Sequence, residues 1–180
     1  MIDTELFADL GIPLGYGRNP RRPFYGDATD LEDVEPNIVG RPQRLAPPTA
    51  RSWRQMKQTA ALAGVELLLV SGFRSIRQQT DLFRQKLAAG LQIEAILRVN
   101  AAPGFSEHHT GRAIDIATPG TRPLTAEFEN SKAFAWLVAN AATFGFTMPY
   151  GRDNVFGFEF EPWHWSQINL RSRRDAQIRV

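Results

Sequence analysis

At 180 residues, 43% hydrophobic and 22% charged, the chain has the length and composition of a soluble domain with one substantial core. Its 21 Lys and Arg against 19 Asp and Glu leave a net charge of +2, which gives no reason to expect a nucleic-acid partner. With no cysteine, disulfides, thiolate metal sites and a cysteine nucleophile are excluded.

The opening stretch MIDTELFADLG has neither a basic n-region nor an apolar h-region, and no run approaches the length of a membrane span. As written, the chain therefore reads as cytoplasmic, without a signal peptide or transmembrane segment. Residues 1–48 are rich in Pro, Gly and charge and show little sustained periodicity. They predict a loop-rich N-terminal arm packed on the core, with residues 49–180 forming a single domain. The acidic run Asp27, Asp30, Glu32, Asp33 and Glu35 lacks the spacing of a calcium loop and reads as surface. So do two arginine clusters, Arg18, Arg21 and Arg22, and Arg171, Arg173 and Arg174.

Thr49 is placed to cap a helix over residues 50–63, with Trp53, Met56, Ala60 and Ala63 on one face and Gly64 at its end. The short apolar run in residues 66–72 predicts a buried strand. Ser75, with Gln78 three residues on, forms a capping box for a second helix. Ile76, Leu82, Phe83 and Leu87 are its inward face, and Gly90 closes it. A shorter helix is predicted over residues 93–99. Residues 113–117 then read as a strand, in which Ile114 and Ile116 face one way and Ala113, Asp115 and Ala117 the other. An aspartate between two alanines has room for a ligand; the competing reading is one that faces water. Residues 131–144 predict an amphipathic helix with Phe134, Leu137 and Ala141 inward, ended at Gly145. Residues 156–165 read as β-rich. This order of elements predicts an α+β fold, a small antiparallel sheet flanked by helices.

The chain has three histidines. Catalytic zinc takes three protein ligands and leaves a fourth position open, and His108, Asp115 and His164 supply such a set. Zinc there would bring the pKa of water toward about 7. Glu161, three residues before His164, is the candidate proton acceptor. Residues three apart in a regular strand face opposite ways, so Pro162 must distort the chain for both to reach one site. Arg74, just past the first strand, suits an oxyanion or a substrate carboxylate. His109 is the spare histidine and reads as a packing or capping residue. From these residues alone, a metal site and a set of structural histidines both remain open.

Three segments in this order carry a resemblance: SGFRS at 71–75 with Gln79 downstream, SEHHTGRAIDI at 106–116, and EPWHW at 161–165. Together they resemble the zinc D-Ala-D-Ala carboxypeptidase and dipeptidase family, whose relatives include vancomycin-resistance peptidases, phage endolysin peptidases and the hedgehog domain. The resemblance implies one zinc held by His108, Asp115 and His164, with Glu161 as the base and Arg74 at the transition state or substrate. It also implies substrate contacts from Ser106 and Gln79, and makes residues 49–180 a zinc peptidase domain. The activity it implies is D-alanyl-D-alanine carboxypeptidase action on peptidoglycan stem peptides, which points to the cell envelope. Endopeptidase cleavage within the stem peptide and D,D-dipeptidase activity are the alternatives. A zinc-containing binding module is the non-enzymatic one, and the retention of Glu161 beside His164 argues against it.

Overall fold

The computed structural model describes residues 3–167; Arg171, Arg173 and Arg174 lie outside that range. Its centre is a three-stranded antiparallel sheet in the order β3 (Leu68–Ser71), β4 (Ala113–Ala117), β5 (His164–Ser166). The middle strand is buried along its whole length, so Asp115 does not face water. The register sets Asp115 directly opposite His164 on one side and Ser71 on the other. A bulge at Val70 interrupts the pairing of β3.

Helix α2 (Pro47–Leu62) packs Trp53, Met56 and Ala60 against Leu69, Ile114 and Ile116 of the sheet. It starts earlier than its sequence predicts. Ala46 is the N-cap and prolines fill the first two helical positions, where a missing N–H costs nothing. Thr49 is therefore no cap: it is fully buried and donates its hydroxyl to Gln167 Oε1 at 2.8 Å. Helix α3 (Ile76–Ala88) has the capping box of Ser75 and Gln78, and α4 is Ile93–Val99. Of the predicted inward face of α3, Phe83 is fully buried, whereas Ile76, Leu82 and Leu87 are half-buried. Helix α5 (Lys132–Asn140) is capped by Ser131 and tightens into a 3-10 turn over Ala141–Phe144. The β-rich reading of 156–165 is corrected: only its last two residues enter a strand. Asn154 Oδ1 accepts from the amides of Phe156 and Phe158, Gly157 has φ +72°, and Pro162 lacks an N–H, so a sheet ladder cannot form there.

The N-terminal arm carries more structure than its sequence announces. Asp3 caps a six-residue helix, α1 (Thr4–Asp9), too short for a periodicity to register. Its Phe7, with Tyr16, joins Phe83, Ile96 and Phe105 in a second apolar cluster. Strands β1 (Glu32–Val34) and β2 (Gln43–Leu45) form a two-stranded antiparallel ribbon. Between them, Ile38 N donates to Leu69 O and Asn37 Nδ2 to Val70 O, which covers the free edge of β3. The acidic residues of the arm are used structurally. Glu32 pairs with Arg54, Glu35 with Lys57, and Asp27 accepts from the first amide of α3.

Arg22 ties the arm to the opposite loop. Its Nε and Nη2 both donate to Phe156 O, at 2.9 and 2.7 Å, and its guanidinium lies over the rings of Tyr16 and Phe158. Charge-assisted bonds of this kind contribute about 1.5–3 kcal/mol each before solvent screening. Arg22→Ala is expected to lower stability by about 1–3 kcal/mol in urea unfolding. Arg22→Lys should recover little of it, because an ammonium cannot reproduce the fork or the stacking.

Candidate metal centre and cleft

Three chain segments converge on one buried point. Gly111 lets the chain turn between His108 and β4: it has φ +66°, and a Cβ there would stand 2.8 Å from the backbone nitrogen of Ala46. His108 lies in the 3-10 turn Glu107–Thr110, whose N-cap is Ser106. Asp115 comes from the middle of β4. His164 opens β5 after the turn 161–163, where His164 N donates to Glu161 O at 3.1 Å. That turn, rather than a distorted strand, brings Glu161 and His164 to one site.

Among the described residues, His108, Asp115 and His164 form a group whose ligand atoms all lie within 4.8 Å of one another. Asp115 Oδ2 is 3.3 Å from His108 Nε2, and its Oδ1 is 3.0 Å from His164 Nδ1. Two donors about 2.1 Å from a common ion at the tetrahedral angle lie about 3.4 Å apart, so three donor atoms within 4.8 Å of one another are near enough to share one ion. Each histidine is held from behind. His108 Nδ1 donates to Gly72 O at 2.7 Å, and His164 Nε2 donates to Glu107 Oε2 at 3.1 Å. Metal-binding histidines need this anchoring to fix tautomer and ring plane. Burial lowers the pKa of His108, which favours the neutral form a metal ligand needs. The donor set fits zinc.

A cleft of about 390 Å³ opens over this cluster. All three residues of this group, with Arg74, Ser106 and Glu161, line it. Burial raises the pKa of Glu161 to about 7, against the lowering effect of His164. Arg74 is held by its backbone, which donates to His108 O at 3.2 Å, and its Nε is buried without a partner among the described residues. Ser106 accepts from His108 N at 3.4 Å. Gln79 is fully buried behind the cleft wall: its Nε2 donates to Ala101 O at 2.6 Å, and its Oε1 has no partner among the described residues. Three residues escaped sequence reasoning. Glu107 holds His164, Tyr150 stacks on the His164 ring at 4.7 Å, and Lys86 lines the cleft. Only Glu107 left a signal, as a carboxylate directly beside His108 in the motif at 106–116.

His109 stands outside the metal cluster. Gly104 N donates to its Nε2 at 3.1 Å, so Nδ1 carries the proton and donates to Arg74 O at 2.6 Å. The ring thereby fixes the backbone of Arg74.

A family model described as VanY, D-alanyl-D-alanine carboxypeptidase, matches residues 42–170. The chain belongs to this family. It is 27% identical over 151 residues to a D-alanyl-D-alanine carboxypeptidase of Enterococcus faecalis, an alignment covering 78% of this chain and 54% of that protein. The chain thus spans about half the length of the curated relatives it matches. Its fold is similar to that of the LD-carboxypeptidase LdcB, with a TM-score of 0.71 and 28% identity over 87% of this chain and 76% of the other. It is also similar to a mutant of the vancomycin-resistance D,D-pentapeptidase VanY crystallised with Zn(II) (TM-score 0.61, 25% identity, 83% and 85% covered). These likenesses place the sheet and its flanking helices among the VanY-type peptidase folds.

Two predictions follow from the anchoring bonds. Glu107→Gln and Glu107→Ala are expected to weaken zinc binding, by up to about 10- to 100-fold for the alanine, in competition with a chromophoric chelator. Unchanged affinity would show that Glu107 does not hold the ring. The second concerns His109, whose burial lowers its pKa to about 4 against an ordinary value of 6.5. Between those values the unfolded chain binds a proton that the folded one refuses, because Nε2 is already accepting from Gly104. Stability is therefore expected to fall as pH drops from about 6.5 to about 4. Urea melts with chelator present should show a shallower fall for His109→Gln than for the unaltered chain.

Proposed function

We propose that the protein is a zinc-dependent carboxypeptidase that removes the terminal residue from peptidoglycan stem peptides ending in D-alanine. The observation that carries this reading is Glu161 in the wall of the same cleft as the buried triad His108, Asp115 and His164. One zinc ion held by that triad would supply Lewis acidity, polarising the scissile carbonyl and acidifying water. The side chains of the chain do the rest. Glu161, with a pKa near neutrality, takes the proton from the attacking water and passes it to the leaving amine nitrogen. Arg74, desolvated and without a hydrogen-bonded acid, presents its guanidinium to the oxyanion that develops on the carbonyl oxygen. Ser106, on the cleft wall, offers a hydroxyl to the peptide backbone. Tyr150 and Glu107 keep the His164 ring in place from its face and its edge.

A second reading is favoured by the likeness to the LD-carboxypeptidase LdcB: the bond cut joins an L-centre to the terminal D-alanine of a tetrapeptide. A defined pentapeptide ending in D-Ala-D-Ala and a tetrapeptide ending in D-Ala distinguish the two by product mass. Loss of one alanine that chelator blocks and zinc restores is the expected result. Glu161→Gln should keep one zinc per chain while lowering kcat by about 100-fold or more. Normal turnover by that variant would remove Glu161 from the mechanism, and a cut inside either peptide would make the protein an endopeptidase.

A further inference from the structure

Among the described residues, two that are not glycine hold a positive φ, Leu124 at +57° and Asp153 at +55°. Aspartate tolerates the left-handed region, whereas a leucine there crowds its Cβ against the following carbonyl. Leu124 gains no core packing in exchange. It belongs to neither apolar cluster and is 47% exposed. It lines the cleft over the triad, which Asp153 does not.

The strap that carries it is fixed on both sides. Upstream, Thr118 Oγ1 donates to Glu66 O at 2.7 Å, and Thr121 Oγ1 to Thr118 O at 3.0 Å. Across Leu124, Thr125 Oγ1 donates to Arg122 O at 2.9 Å, and Arg122 N to Glu127 Oε2 at 3.4 Å. Downstream, Phe128 is buried in the main core. Strain of this kind persists only where the surroundings over-determine it, and it collects at ligand-binding sites. The cleft also has an apolar share for Leu124 to extend. Val99, Phe158, Phe160 and Trp163 line it, each with surface left exposed. Both terminal residues of a peptide ending in D-Ala-D-Ala carry a single methyl group. The first side chain long enough to cover such a surface is therefore that of the residue before them.

We propose that Leu124 is a specificity-determining residue, held in a strained conformation so that its side chain packs on an aliphatic side chain at the residue preceding D-Ala-D-Ala. The inference rests on the carboxypeptidase reading and deepens it, by naming a side-chain preference away from the bond that is cut.

The test compares N-acetyl-norleucyl-D-Ala-D-Ala with N-acetyl-glycyl-D-Ala-D-Ala, using the zinc-loaded full chain and the variants Leu124→Asn and Leu124→Met. Asparagine accepts the left-handed conformation and removes the apolar surface; methionine keeps that surface. The unaltered protein should show a KM about 5- to 20-fold lower for the norleucyl peptide, as expected for partial burial of its butyl group. Leu124→Asn should shrink that difference to about 2-fold or less, with the loss falling on KM for the norleucyl peptide rather than on kcat. Leu124→Met should retain most of it. The melting temperature of Leu124→Asn should stay level or rise by up to about 4 °C, because the strain is relieved. A residue kept for packing would instead lose several degrees, with turnover of both peptides falling in parallel, and that result overturns the proposal. Equal KM values in the unaltered protein, or a difference that survives Leu124→Asn, also overturn it and leave the carboxypeptidase reading standing. If neither peptide is cut, the proposed activity fails, and calorimetric binding of the same two peptides decides the role of Leu124 by itself. A preference for norleucine that Leu124→Asn removes supports it, and equal or absent binding overturns it.

Discussion

A carboxylate buried in the middle of a sheet must be surrounded by donors or cations, and in this protein that requirement falls on Asp115. It is 5% exposed and sits on the central strand. Left alone it would be protonated or would drag water into the core. Each of its oxygens instead faces one imidazole nitrogen. Strand pairing supplies His164 through the register of β4 and β5, and the 3-10 turn before β4 supplies His108. With their N–H groups turned to Gly72 O and Glu107, the two rings present lone pairs to the anion rather than donors. A divalent ion at their common point would supply the missing positive charge, which is why the cluster reads as a metal centre rather than as a set of structural histidines.

The parts of the fold farthest along the chain serve the same point. Gly72 O, the acceptor for His108, belongs to a segment pinned by the arm: Gln43 Oε1 accepts from Gly72 N and Arg44 O from Phe73 N, both at 2.8 Å. A Cβ at Gly72 would stand 2.8 Å from Arg44 O, so the approach demands glycine. On the other side, Tyr25 N donates to Gly104 O and Ala28 N to His109 O. The arm is therefore a backbone brace laid along both edges of the loop that carries His108. It adds no side chain to the cleft walls, yet it sets where those walls stand.

The sequence made the chemistry easier to read than the architecture. His108, Asp115, Glu161 and His164 stand out because polar residues of those types are rare inside apolar strands and glycine loops, and the structure brings all four to one cleft. Strand β4 and helix α4 were legible from alternation and spacing alone. The arm was not, since a six-residue helix and three-residue strands are fixed by tertiary contacts such as Phe7 against Tyr16 rather than by local pattern. The 156–163 loop misled for the opposite reason. Its aromatic residues carry strand propensity, but they pack against Arg22 and Tyr150 instead of pairing with a neighbour. Lys86 was invisible because nothing in a helix pattern distinguishes a solvated lysine from one that ends in a cleft.

The electrostatic layout of the cleft limits what can occupy it. Its base is acidic, with Asp115 between His108 and His164 and Glu107 behind the His164 ring. Above that, Arg74 and Lys86 form a cationic flank, and Glu161 stands between the two regions near its point of neutrality. On the proposed reading, a peptide entering with its carbonyl toward the base would meet positive charge where negative charge develops during attack. The shortage of counter-ions around Arg74 is what leaves its guanidinium available to the carbonyl oxygen.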